Sequence, residues 1–168
     1  DFTTAFTDSV FVSAGYKNIA EVGGKYFTAK KTSANSYLEI SAFAARQNVV
    51  ISWLILPPLN LDHSANEILH FDTKDGFDNG AILQAMVSTN YDGGNNPARA
   101  KWTLLPAVMS KGSGSGFAPQ WMFSNNLDLS KFKGNVYIAF RYEGNDPSAV
   151  IGKLTTSFRL DNIMVQGN

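Results

Sequence analysis

The side chains that could do chemistry in this 168-residue chain are mostly acidic and hydroxyl-bearing: fourteen Asp and Glu stand beside two histidines and no cysteine. The lack of Cys excludes thiol nucleophiles, thiolate-held zinc and disulfides. His63 follows Leu61-Asp62 and His70 alternates with Leu69 and Phe71, so neither enters the H-E-x-x-H pair of a zinc hydrolase. No serine occupies a G-x-S-x-G elbow, although a triad assembled only in space would leave no such trace. Glycoside hydrolysis needs two carboxylates facing across a cleft, and no pair is marked out in the linear order. The run Lys111-Gly112-Ser113-Gly114-Ser115-Gly116 has its Lys before the glycines and no helical pattern after them, so it predicts a flexible surface loop and not a phosphate cradle.

Two kinds of binding chemistry remain. Asp72, Asp75 and Asp78, beside Gly76 and Gly80, supply the oxygen-rich turn that a hard cation such as calcium uses, without EF-hand spacing. The same residues are equally the turn-formers that cap backbone N–H groups. Asn90, Asp92 and Asn95 read as turn chemistry. Phe77, Tyr91 and Trp121 lie in or beside turn-rich segments and could stack on sugar rings, the alternative being partial burial under a long loop. Trp121 is the leading stacking candidate, whereas Trp53 and Trp102 read as core.

The elements that must carry these residues are strands. Residues 36–43, 67–71, 81–88 and 136–142 alternate with period two. In the last of these, Val136, Ile138, Phe140 and Tyr142 share one face, and Tyr137, Ala139 and Arg141 share the wetter one. Residues 49–56 are apolar on both faces and stop at Pro57-Pro58, as expected of a central strand. Turn-rich stretches at 75–80, 92–97, 111–116 and 143–147 separate the strands. One helical turn is expected at Leu129–Gly134, ending on a glycine suited to a left-handed cap. In the final strand Phe158 and Leu160 hold one register while Ile163 and Val165 hold the other, which predicts a β-bulge at Asp161-Asn162. Asp161 is there either a ligand for a hard cation or a strand-end carboxylate bonded to a neighbouring loop. About eight to ten strands without an internal repeat predict an all-β, two-sheet antiparallel β-sandwich of the jelly-roll kind, residues 1–168 forming one domain, with barrel closure as the open alternative.

Composition agrees and narrows the partners. The chain is 44% hydrophobic, 12% aromatic and 17% charged, the last against roughly 25% in average soluble domains. Fourteen Lys and Arg balance the acids and are scattered, so a nucleic acid or an anionic membrane surface finds no basic footprint. No window approaches the roughly 18 consecutive apolar residues of a membrane helix, and the opening at Asp1-Phe2 has neither the basic nor the apolar region of an export signal.

The run Ser52-Trp53-Leu54-Ile55-Leu56-Pro57-Pro58-Leu59-Asn60-Leu61 resembles the W-L-I-[ST]-P-x-[IL]-[DN]-L signature of Bacteroidetes choice-of-anchor J domains, relatives of cleaved-adhesin modules. Further matches follow in the family's order at Leu69–Thr73, Val87–Gly93, Ala100–Leu104, Leu127–Ser130, Val136–Tyr142 and Asp161–Ile163, so the likeness spans roughly residues 36–166. It implies a jelly-roll sandwich on exported, often cell-surface or multidomain proteins. It also implies calcium, held by the Asp of the terminal D-[DN]-[IV] motif, here Asp161, and by an acidic residue near the first strand. That acidic residue is normally in Phe-Glu; here Phe2-Thr3 stands in its place, with Asp1 the nearest substitute.

These readings converge on a non-catalytic, secreted or cell-surface binding or adhesion module for carbohydrate or a cell-surface protein. The expected sugar-stacking residues are Trp121, Tyr91 and Phe77, and the expected calcium ligands are Asp161, Asp1, Asp72 and Asp75. The alternatives are an accessory domain of a larger exported protein with no ligand of its own, and a jelly-roll glycoside hydrolase.

Overall fold

The computed structural model describes residues 9–62, 65–148 and 151–168, so Asp1 and His63 lie outside the described residues. The strands among them are β1 (Ser9–Val10), β2 (Lys17–Val22), β3 (Thr28–Lys31), β4 (Ser36–Ile40), β5 (Val50–Ile55), β6 (Leu59–Asn60), β7 (Ile68–Gly76), β8 (Ile82–Ser88), β9 (Thr103–Leu104), β10 (Met122–Phe123), β11 (Leu127–Asp128), β12 (Asn135–Gly144) and β13 (Ser157–Gln166). They form two sheets. The first runs β1-β3-β4-β13-β7-β10, with β11 also on β7; the second runs β2-β5-β12-β8-β9, with β6 also on β12. Every pairing is antiparallel. The chain therefore folds as a jelly-roll sandwich with two separate sheets, and no helix among the described residues is long and apolar enough to cross a membrane.

Period-two alternation decides which side chains meet between the sheets. Val136, Ile138, Phe140 and Tyr142 on β12 are fully buried against Leu38, Leu69, Phe71 and Leu160 of the first sheet. Phe71 and Phe140 meet edge to face across the sandwich, their centroids 4.8 Å apart. β5 lies between β2 and β12 and is covered on both sides, as its doubly apolar sequence predicts. Val50 and Leu54 face the main core, while Trp53 and Ile55 face outward under a second cluster with Tyr91, Ala139 and Trp102. The face of β12 expected to be wetter is thus partly sealed by residues of the segment after β8.

Three local expectations meet the structure differently. The bulge forms where the phase breaks: β13 and β7 lose register between Asp161 and Met164, and Asn162 takes a left-handed φ of 49°. β7 does not stop at Phe71 but continues through Asp75 to Gly76, because later segments supply hydrogen bonds that keep this Asp- and Gly-bearing stretch extended. Leu129–Gly134 makes only a single turn closed by Phe132 N–H to Leu129 O, and the helical residues that do form are a 3₁₀ turn at Pro97–Arg99.

Candidate functional site

The outer face of the first sheet carries the polar positions of β3, β4, β13 and β7 in register. One row across it is Thr28, Glu39, Arg159 and Lys74; the adjacent β13–β7 position pairs Asp161 with Asp72. Arg159 is the hub. Its Nε donates to Glu39 Oε2 at 2.9 Å, and its guanidinium lies 3.5 Å from the Phe117 centroid and 4.7 Å from that of Tyr37. Trp121 meets Tyr37 edge-on at 5.8 Å, and Phe77 meets Phe117 edge-on at 5.6 Å. A ladder of Trp121, Tyr37, Arg159, Phe117 and Phe77 therefore crosses the sheet, with two of the three expected sugar-stacking residues at its ends. A guanidinium between two rings is fixed without losing its polar edge.

Two residues of β7 make the ladder possible. Gly76 has no side chain where Phe117 crosses the strand; a Cβ there would come within 2.6 Å of the Phe117 ring. Asp75, on the opposite face and 1% exposed, accepts hydrogen bonds from Ser110 Oγ and from the Gly112 N–H, both at 2.7 Å. The Gly-Ser run expected to be a flexible surface loop is thereby tied to the core. It returns the contact through Phe77 N–H to Gly116 O and Asp78 N–H to Ser113 O. Phe77 sits in that clamp with φ of 54°, a left-handed conformation disfavoured for a bulky side chain, and the residue is 51% exposed. An aromatic held outward by strained backbone is the pattern of a binding position.

Phe77 borders a groove of about 510 Å³ that runs over β3, β4 and β13. Tyr26, 41% exposed, and Phe43, 72% exposed, also line it, with the hydroxyls of Thr28, Ser41, Thr155 and Ser157, the ammoniums of Lys25 and Lys30, and the carboxylate of Glu39. Exposed rings beside hydroxyls and charges suit a saccharide, whose rings have apolar faces and hydroxyl rims.

Asp161 lies at the far end of the same face, 3% exposed, under the β3–β4 turn. Asn35 Nδ2 donates to its Oδ2, and the Asn162 N–H donates to its Oδ1, each at 2.8 Å. Asn162 Nδ2 donates to Asp72 Oδ2, also at 2.8 Å. Asp161 and Asp72 are cross-strand partners, and like charges so placed repel unless something intervenes. No group of three or more acidic or histidine side chains able to hold a metal exists among the described residues, and both carboxylates accept from Asn35 or Asn162 donors. Asp75 does not join them, because odd and even positions of β7 face opposite ways and its carboxylate is engaged by Ser110 and Gly112.

Tyr91 is placed elsewhere. It is 6% exposed on the outer side of the second sheet, packed against Trp102 and Tyr137, with its hydroxyl donating to Gly94 O. No ring face is left for a sugar, so its expected stacking role gives way to a structural one. Burial, then the Asp92 carboxylate, then Tyr137 push its phenol up to about 12. Sequence reasoning missed Tyr26, Phe43, Glu39, Arg159 and Phe117. Glu39 and Arg159 are the polar members of alternating strands, but only the register shows that they pair.

No protein-family model matches the chain, and no curated protein matches it in sequence. Solved structures do. The K2 cleaved adhesin domain of Lys-gingipain superposes with a TM-score of 0.66 at 15% identity, covering 99% of this chain and 96% of that one. The K3 domain of the Porphyromonas gingivalis W83 protein gives 0.58 at 19% identity, covering 100% and 97%. The carbohydrate-binding module TmCBM61, in complex with β-1,4-galactotriose, gives 0.52 at 11% identity, covering 92% and 90%. At these identities the likeness assigns architecture: the chain has an adhesin-like jelly-roll β-sandwich fold.

Proposed function

We propose that this chain is a non-catalytic extracellular binding module of the choice-of-anchor J kind that takes a saccharide in the groove bordered by Phe77. The carrying observation is Phe77 itself, exposed, left-handed in φ, and clamped by the 110–117 segment beside Tyr26 and Phe43. The galactotriose in TmCBM61 supports the reading, since a sandwich of similar architecture takes a saccharide there. The one carboxylate among the described residues lining the groove, Glu39, is ion-paired to Arg159, whereas glycoside hydrolysis needs two acting in concert; among the described residues this favours binding over turnover. Calorimetric titration against a broad polysaccharide panel tests it. At least one saccharide is expected to bind, and Phe77→Ala to weaken it roughly tenfold, about 1.4 kcal/mol. Absence of binding across the panel overturns the proposal.

We further propose that calcium stabilises the fold through Asp161 and Asp72, supplying positive charge between facing carboxylates. Calcium at about a hundred times its dissociation constant would add about 2.7 kcal/mol. Melting of the EDTA-treated protein is then expected to rise by roughly 5–10 °C on adding calcium. The rise should vanish in Asp161→Asn, and an unchanged melting point in wild type removes calcium from the account.

A further inference from the structure

Phe43 stands at the tip of a turn that its own sequence does not favour. The turn spans Ala42 to Ala45 and is closed by Ala45 N–H to Ala42 O at 3.0 Å. Ala44 follows Phe43 with φ of 58°, and Arg46 has φ of 54°. Left-handed backbone at the third position of such a turn calls for glycine or asparagine, and the segment Phe43-Ala44-Ala45-Arg46 has neither. Contacts from elsewhere in the chain must therefore impose the conformation.

They reach the turn from both ends. On the leading side, Ala42 N–H donates to the Tyr142 hydroxyl at 2.9 Å and Ser41 Oγ donates to Thr155 O at 2.7 Å. On the trailing side, Asp146 Oδ2 accepts from Arg46 N–H at 3.3 Å, and Asp146 N–H donates to Gln47 O at 2.8 Å. Asp146 is itself fixed. It is 4% exposed, its Oδ1 pairs with Lys153 Nζ at 2.7 Å, and Asn145 and Leu154 exchange backbone hydrogen bonds that close the base of the loop between them. Asp146 does not line the groove, yet it holds the backbone just beyond a residue that is 72% exposed within it.

We infer, on the saccharide reading above, that Asp146 is a positioning residue: it locks the turn that presents Phe43, and the bound saccharide stacks on Phe43 as well as on Phe77. The two aromatics are presented by separate devices, Phe77 by the 110–117 segment and Phe43 by the Asp146 loop. A saccharide that spans both binds best when both are in place beforehand, because ordering a loose turn on binding subtracts from affinity.

The test is calorimetric titration of the intact chain with β-1,4-galactotriose, cellohexaose, xylohexaose, mannohexaose, laminarihexaose and alginate, the tightest of which is carried through the variants. Phe43→Ala is expected to weaken binding about tenfold, and Asp146→Ala about five- to tenfold. The variant carrying both should lose no more than about twofold beyond Phe43→Ala alone, because without the ring nothing is left to position. Asp146→Ala combined with Phe77→Ala should instead lose the product of the two single effects. In Asp146→Asn the amide oxygen still accepts from Arg46 N–H, so the loss should shrink to about threefold. Melting curves fix a titration temperature at which the variants are folded. If Asp146→Ala does not fold, Asp146→Asn and Lys153→Met carry the series, each expected to lose about threefold in the wild-type background and nothing further in Phe43→Ala. Wild-type affinity in the Asp146 variants, or a loss that multiplies with Phe43→Ala as fully as with Phe77→Ala, overturns the positioning role and leaves Asp146 serving stability alone. Phe77→Ala still weakening binding in that case leaves the saccharide reading standing. No binding of any probe to wild type overturns both.

Discussion

Asp75→Ala is expected to lower stability by about 3–5 kcal/mol, because a nearly inaccessible carboxylate that accepts from Ser110 Oγ and the Gly112 N–H is removed and both donors lose a charge-assisted hydrogen bond. For a chain of this length that corresponds to a fall in melting temperature of roughly 10 °C, read by scanning calorimetry. Binding should fall as well, although Asp75 lies on the opposite face of β7 from the groove. The two donors belong to the segment that bonds back to Phe77 and Asp78 and delivers Phe117 over Gly76. Releasing it removes the clamp on Phe77, so saccharide affinity measured well below the melting point should drop by more than tenfold, more than Phe77→Ala alone produces. Asp75→Asn separates shape from charge. Its carbonyl oxygen can still accept from Gly112 while its amide donates to Ser110 Oγ, so stability should recover to about half the loss. Wild-type stability and affinity in Asp75→Ala would show that the 110–117 segment is held by other contacts.

What made Asp75 unreadable in the sequence also explains which parts of the site could be read. Asp75-Gly76 is a turn dipeptide by local chemistry. It becomes strand only because Ser110, Gly112, Ala118 and Ser157 approach it from distant parts of the chain. The bulge at Asp161 was legible for the opposite reason: a period-two pattern that changes phase requires an extra residue whatever lies nearby. The same rule gave β12 and both covered faces of β5, where long apolar side chains dominate. It failed for β2 and β3, whose residues are largely half-exposed and whose polar and apolar positions do not alternate cleanly. Trp121 and Phe77 were found as aromatics in turn-rich sequence, and Tyr91 met the same criterion yet is buried. The difference is the second cluster on β5 and β12, where Trp53 and the small Ala139 accept the residue 91–102 segment. No local property of Tyr91 reports that surface. Glu39 and Arg159 are polar members of alternating strands 120 residues apart, and only the sheet register brings them together as a pair.

Replacing Tyr142 by Phe should be the most damaging removal of a single oxygen from the sandwich. Its ring is fully buried, and its hydroxyl accepts from the Ala42 N–H at 2.9 Å and donates to Thr156 O at 3.0 Å. Tyr142 belongs to β12 of the second sheet, whereas Ala42 follows β4 and Thr156 precedes β13, both of the first. One hydroxyl thus bridges the sheets next to the segments that line the groove at Ser41, Phe43 and Thr155. Tyr142→Phe keeps the ring and leaves a buried donor and a buried acceptor without that partner, at a cost of about 2–4 kcal/mol. Burial also pushes the Tyr142 phenol well above its ordinary value of 10.0, as it pushes Tyr91 up to about 12. The folded chain therefore keeps these protons at a pH where the unfolded chain has released them. Their favourable balance is complete below the unfolded value and is lost as pH climbs from about 10 through the folded values, so stability must fall with alkalinity. Denaturant melts between pH 9 and 12 should show that fall in wild type, and Tyr142→Phe should start lower but decline less steeply, by about one proton. A variant that matches wild type at pH 9, or declines in parallel with it, would mean that the hydroxyl neither bridges the sheets nor stays protonated when folded.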